Sequence, residues 1–397
     1  MPDPTILFLQ GLPGPSSRLI AGELQRRGAR VLRINCNGGD WFDWRGGGRC
    51  YRGPLEQFGD WLARLLIAEK IRAIVLFGAE RPHHRAASTA ARGQGIDLFV
   101  LEEGYLRPNS VTLEHWPRGV AWAWPASLDE CRTRAAETAR PAEVAIPGHF
   151  FPRMRQSITY WLAAVPLKPQ FRHYRSHRPH HSFFEMLAWN RRWARAFAER
   201  RKSRQALDRV KGARFFLLPL QIDGDAQLVH RSPFGGMVEA LEAAITDFVA
   251  HAPRDCHLLV KRHPLDPDLA GWRRITERLA ARDPLGRIHF IEHGDLDQLL
   301  ESCAGVVTVN STVGTLALAR GRPVHVLGRA IYGLKGLSDT APLARFWHDP
   351  QPPQPGAYDC FAAMLWSECL LNAGFHSREG LARLAPLAAD RILAKLA

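Results

Sequence analysis

The chain has 397 residues, 46% of them apolar, and its 53 basic and 39 acidic residues leave a net charge of +14. That length exceeds what one hydrophobic core usually serves, so two domains are expected, and the apolar content excludes a disordered chain. No stretch of about 18 uncharged apolar residues occurs, which excludes a transmembrane helix of the usual kind.

The N-terminus lacks a basic region and its apolar run, Ile6–Leu9, is too short for a signal peptide, so the protein is expected to stay inside the cell. The seven cysteines (36, 50, 131, 256, 303, 360 and 369) form no CxxC pair. They fit reduced cytosolic thiols better than a disulfide framework or a zinc site.

Short apolar runs separated by helical stretches give the N-terminal half the pattern of a parallel sheet. Strands are expected at Thr5–Gln10, Arg30–Asn35, Ile74–Phe77 and Ile96–Leu101, and helices at Ser16–Arg27, Leu55–Glu69 and His84–Arg92. From about Trp116 to Arg178 prolines break any period, and the stretch reads as an insertion with the acceptor-side surface. A helix at Phe183–Arg204 leads to a second alternating set. Its strands are expected at Phe215–Pro219, His257–Val260, Ile288–Ile291, Val306–Val309 and Pro323–Val326. Its helices are expected at Met237–His251, Leu269–Arg282, Leu296–Ser302 and Val313–Arg320, with closing helices at Phe361–Asn372 and Glu379–Ala397. The fold class is α/β, with two Rossmann-like doubly wound domains facing a cleft. The expected divisions are 1–205, 206–375 and a closing helix at 376–397.

Much of the positive charge lies between Arg153 and Arg214, interleaved with aromatics. Trp189, Trp193 and Phe197 share one helical face, with Arg191, Arg192 and Arg195 around it. This pattern fits either a membrane-surface helix or a core-facing helix with a basic back. Replacing the three arginines is expected to weaken binding to anionic vesicles. His173, His177, His180 and His181 sit among arginines without evident carboxylate partners, so a basic pocket is expected there and no metal site.

Several strands end in residues able to do chemistry, and in open α/β sheets the ligand crevice lies outside those ends. Phe215–Pro219 opens into Gln221, Asp223 and Asp225; Leu258–Val260 into Lys261, His263 and Pro264; Val306–Val309 into Asn310, Ser311 and Thr312. The cations could neutralise a phosphate, and Ser311 or Thr312 could also cap the helix that begins at Val313. Gln10-Gly-Leu-Pro-Gly-Pro15 is not a dinucleotide loop, because its prolines remove N–H donors. A sugar approaching Gly11 is the better reading. Asn37 and Asp40 end the next strand, either as site residues or as a polar turn. Glu102 and Glu103 are adjacent carboxylates of which alternation sends one toward the cleft, while the other should pair with a base such as Arg107.

The ordered motifs make the chain resemble the KpsS/LipB family of bacterial capsule polysaccharide proteins. They are Phe8-Leu-Gln-Gly11, Asn35-x-Asn-Gly-Gly-Asp-Trp41, Glu102-Glu-Gly-Tyr-Leu-Arg-Pro108, Tyr174-Arg-x-His-Arg-Pro179, Pro219-Leu-Gln-x-x-x-Asp-Ala-Gln227, Lys261-x-His-Pro264 and Asn310-Ser-Thr-Val-Gly314. The resemblance, more distant to KpsC, implies a GT-B fold with the donor nucleotide in the C-terminal domain. It implies no cofactor, and transfer of Kdo from CMP-Kdo, with retention, to a phosphatidylglycerol-type lipid at the inner membrane. Arg107, Arg175 and Arg178 fall within its motifs. Retention most simply needs two displacements. Asp225 is then expected as nucleophile and Glu102 as base, with Asp223 and Glu103 as second choices.

A non-catalytic glycolipid-binding factor for capsule assembly or export is the alternative, with other capsule proteins as expected partners. Nucleic acid is not an expected partner, because no nucleic-acid motif accompanies the charge.

Overall fold

The structure is a computed structural model. It describes residues 3–135, 143–147, 150–176, 182–222, 228 and 231–397. The chain divides into two compact units: Met1–Ala123 with Thr138–His177 and Leu365–Ala397, and Trp124–Glu137 with Arg178–Met364. Both are α/β and built on largely parallel sheets. Among the described residues no helix is long and apolar enough to cross a membrane.

The first unit's strands are β1 (Thr5–Phe8), β2 (Arg30–Asn35), β3 (Arg49–Cys50), β4 (Ile71–Phe77), β5 (Asp97–Glu103) and β6 (Val111–Trp116). The second unit has β7 (Arg214–Pro219), β8 (Cys256–Lys261), β9 (Ile288–Ile291), β10 (Gly305–Thr308) and β11 (Val324–Val326), and β12 (Leu370–Leu371) returns to the first.

The first sheet runs β12-β6-β5-β4-β1-β2-β3. Strands β1 to β5 are parallel to one another, and β6 lies antiparallel between β5 and β12. Period-two alternation splits its apolar residues between two cores. Ile6, Phe8, Val75, Phe99 and Leu101 pack with Ile20, Leu24, Leu384 and Ile392 on one face. Leu7, Leu9, Ile34, Ile74, Leu76, Leu98 and Val100 pack with Phe58 and Leu62 on the other. Both faces being covered explains why these strands read as unbroken apolar runs.

The second sheet, β11-β10-β7-β8-β9, is parallel throughout. Its core gathers Phe216, Leu218, Leu258, Val260, Phe248, Trp272 and Trp347.

Two expectations change. The segment after Trp116, read as aperiodic, contains the helices Leu128–Ala135 and Phe150–Ala164, and the strand β6 was missed before it. The helix expected to run to Asn372 spans Ala357–Glu368 instead, because the Cys369 carbonyl takes the Leu113 N–H at 2.7 Å and the chain enters the first sheet. Residues 365–375 therefore fold with the N-terminal unit, and the helix Ser182–Val210 with the C-terminal one, which moves both expected divisions.

Candidate functional site

In each unit the strand order reverses beside the first strand of that unit, and such switch points open a crevice at the carboxyl ends of the strands. In the first unit the reversal lies between β1 and β4, and in the second between β7 and β10.

At the first reversal, Gly11 follows β1 and its carbonyl accepts a 2.9 Å hydrogen bond from Arg81, which follows β4. Beside it Asp40 is buried and fully engaged. Its carboxylate accepts from the Cys36 N–H (2.9 Å) and the Tyr160 hydroxyl (2.9 Å), and lies 3.3 Å from Arg33. Asn37 caps the short helix Gly38–Asp43 by accepting from the Asp40 N–H, and donates to Tyr160 at 2.8 Å. Gln10 donates to Tyr160 and Tyr174 at 2.9 and 3.0 Å. Asn37 and Asp40 were expected as ligand-facing or as a polar turn. Both are buried, and their side chains hold the turn and the Tyr160 hydroxyl at the end of β2.

Sequence reasoning passed over Asp43, which lies three residues beyond Asp40. Its carboxylate accepts from the Gly14 N–H at 2.7 Å. Burial pushes its pKa up to about 7, outweighing that hydrogen bond and the nearby Arg33 and Arg18. A carboxyl titrating near neutrality can either hold or accept a proton at physiological pH.

On β5, Glu102 and Glu103 are both half-buried. Glu103 pairs with Arg153 at 3.0 Å rather than with Arg107, because the helix Phe150–Ala164 brings that guanidinium nearer. Arg107 donates to the Gly104 carbonyl at 3.4 Å. Arg175 is exposed, 3.4 Å from Glu56.

At the second reversal the pairing of β7 with β10 ends at Leu217–Val306. The strands are tied again beyond it. Gln221 donates to the Asn310 side chain at 2.7 Å and accepts from the Asn310 N–H at 3.1 Å. Ser311, not Thr312, receives the Val313 N–H, at 3.2 Å, and Thr312 makes no side-chain cap. The Ser311 carbonyl is held by Tyr332 at 2.6 Å. Tyr332 was not anticipated; Gly314 leaves the space for its ring, where an added Cβ would lie 2.4 Å from the hydroxyl.

Lys261 ends β8 half-buried, and its pKa is lowered first by that burial and then by the neighbouring Arg262 and Arg192. Arg262 is itself buried and paired with Glu292 and Asp268. His263 accepts from the Leu265 N–H through Nδ1 at 3.1 Å. Gln221, Lys261, His263, Pro264, Asn310, Ser311 and Thr312 thus follow three adjacent strands of one sheet. Asp223, Asp225 and Arg178 lie outside the described residues.

The helix Ser182–Val210 packs on the second sheet by its polar side. Ser203 accepts from the N–H groups of Glu292 and His293 at 3.1 and 3.2 Å, and Glu199 pairs with Arg273. Trp193 and Phe197 are exposed, so the core-facing alternative does not describe this helix. Arg192 differs from its expected role at an anionic surface. It donates to the Pro264 and Asp266 carbonyls at 2.6 and 3.0 Å and lies over Trp189, whereas Arg191 and Arg195 are exposed. His173 is exposed beside Arg172, and the other three histidines of that group fall outside the described residues.

The family described as capsule polysaccharide biosynthesis protein matches residues 72–376. The capsule polysaccharide export protein KpsS of Escherichia coli is 29% identical over 382 residues, covering 93% of this chain and 96% of its own length. The capsule polysaccharide modification protein LipB of Neisseria meningitidis serogroup B is 28% identical over 384 residues, covering 94% and 92%. Among solved structures, the β-Kdo 2,7 transferase KpsC of Thermosulfurimonas dismutans is similar with a TM-score of 0.46 at 13% identity, covering 97% of this chain and all of that one.

Proposed function

The chain belongs to the capsule polysaccharide biosynthesis protein family, and we propose that it is a retaining glycosyltransferase. In this reading it moves Kdo from CMP-Kdo to a phosphatidylglycerol-type lipid, peripheral to the inner membrane. The observation that carries the reading is the Gln221–Asn310 bridge across the second switch point, flanked by Lys261 and His263. It joins strand ends rich in cations and hydrogen-bond donors where an α/β sheet offers a ligand crevice. A nucleotide monophosphate is the ligand class that uses both.

In the proposed chemistry an Asp225 oxygen attacks the anomeric carbon, and the bond to CMP breaks with its electron pair leaving on the phosphate. The acceptor hydroxyl then attacks the same carbon, losing its proton to Glu102 as the bond to Asp225 breaks.

The test is mass spectrometry of the product from CMP-Kdo and lysophosphatidylglycerol, with CMP affinity measured by calorimetry. The parent should add Kdo and release CMP. Asp225→Asn should keep CMP affinity while turnover falls by about a thousandfold or more, and His263→Ala should weaken CMP binding. Near-normal turnover in Asp225→Asn rules out its role as nucleophile. A parent that binds CMP and glycolipid yet transfers nothing is an assembly or export factor instead.

A further inference from the structure

One helix of the first unit presents to water a face that would ordinarily be buried. The inward side of Phe150–Ala164 carries Tyr160 against Gly39, where an added Cβ would lie 2.6 Å from the ring, and Ala163 and Ala164 against Gly38. On the opposite side Phe151, Met154, Ile158 and Leu162, with Val165 just past the end, recur at spacings of three and four residues. That spacing makes one stripe along a helix. Their exposures are 74%, 36%, 50%, 66% and 68%. A contiguous apolar stripe open to solvent marks an interaction surface.

The surrounding charge selects the occupant. The helix carries no aspartate or glutamate, and Arg155, Lys168 and Arg172 are exposed on it and just beyond it. Arg153 is not part of this rim, being paired with Glu103. An apolar face bordered by cations and free of carboxylates complements an anionic lipid surface, where acyl chains take the stripe and headgroups take the cations.

We propose that Phe150–Ala164 is the membrane-seating helix of the first unit. It lies in the headgroup plane of an anionic leaflet, with Phe151, Ile158, Leu162 and Val165 in the acyl boundary. The proposal takes its purpose from the lipid-acceptor reading above, but its test needs no transfer chemistry.

The experiment is flotation of the full chain with vesicles of phosphatidylglycerol in phosphatidylcholine. Ile158→Glu combined with Leu162→Glu should lower vesicle partitioning by at least about tenfold, because two apolar anchors are lost. Salt should weaken but not abolish binding by the parent, since the apolar contribution is unscreened. Both side chains are exposed, so the variant should melt like the parent by circular dichroism. If it melts early, Ile158→Ser decides in its place, with an intermediate loss expected. Unchanged flotation of a folded variant overturns the proposal. So does a parent that is dimeric by light scattering where the variant is monomeric, since a second copy then covers the stripe. Transfer to a detergent-dispersed acceptor should be the same in variant and parent. A parent that floats but never transfers defeats the transferase reading and leaves the seating helix standing.

Discussion

Asp43 and Asp40 lie three residues apart on one short helix, and burial treats them differently. Asp40 accepts from a tyrosine hydroxyl and a backbone N–H and lies 3.3 Å from Arg33, whereas at Asp43 the loss of water outweighs one backbone N–H and the charges of Arg33 and Arg18. Its carboxyl is raised from an ordinary value of 3.8 to about 7. An acid whose pKa is higher in the folded state binds more protons folded than unfolded between those two values, so stability falls as pH rises through that window. The full contribution is present below the unfolded value and is gone above about 7. Asp43→Asn keeps the acceptor for Gly14 and removes the titration. Thermal unfolding should therefore show the parent's midpoint dropping more than the variant's from pH 5 to pH 8. Parallel profiles would mean that Asp43 ionises freely. The sequence displayed both carboxylates. It did not display their surroundings, because Arg33 and Tyr160 reach Asp40 from other elements.

Helices and strands were legible where periodicity was strong. Met237–His251 and Leu296–Ser302 were read to the residue, since each carries its apolar residues at helical spacing. The six-residue helix Val313–Leu318 was expected to be longer. What it contributes is placement: Gly314 lets Tyr332 in to hold the Ser311 carbonyl beside Asn310. Gly314→Ala puts a methyl group into that ring, and overpacking of this kind costs about 1–3 kcal/mol. Urea unfolding should register that loss, and CMP affinity should fall with it because Ser311 shifts. A variant as stable as the parent would show that Tyr332 moves aside freely. The helix Ser182–Val210 was visible in the sequence, but its orientation was not. Its aromatic side is turned outward, because Arg192, Glu199 and Ser203 find partners around the second sheet and Trp193 and Phe197 do not.

At the scale of the whole molecule, the chain's C-terminal segment completes the fold of its N-terminal unit. β12 pairs with β6 in the register Leu370 to Thr112 and Leu371 to Val111. Asn372 donates to the Asn109 and Val144 carbonyls at 2.8 and 3.0 Å, and the helix Arg378–Leu396 packs along Ser16–Arg26. Leu384 is fully buried in the same core cluster as Ile20, Leu24 and Phe8. Leu384→Ala should cost about 2–5 kcal/mol, the range for a buried leucine whose cavity only partly collapses. Denaturant unfolding followed by circular dichroism measures it. A cost within experimental error would show that this helix is a peripheral attachment.

The sequence by itself determined the α/β class, two units, most of the parallel strands and the polar strand ends that form the second unit's candidate site. These follow from local periodicity and from apolar runs that stop abruptly in charged or amide residues, both carried by near neighbours in the chain. Only the tertiary structure decided that residues 365–397 return to the first unit, that Asn37 and Asp40 face inward, and that an apolar stripe on Phe150–Ala164 faces water. Each of these depends on which distant segment arrives at a surface. Pairing such as Leu113 with Cys369, or Asp40 with Tyr160, joins residues more than a hundred positions apart, and no local pattern encodes its partner.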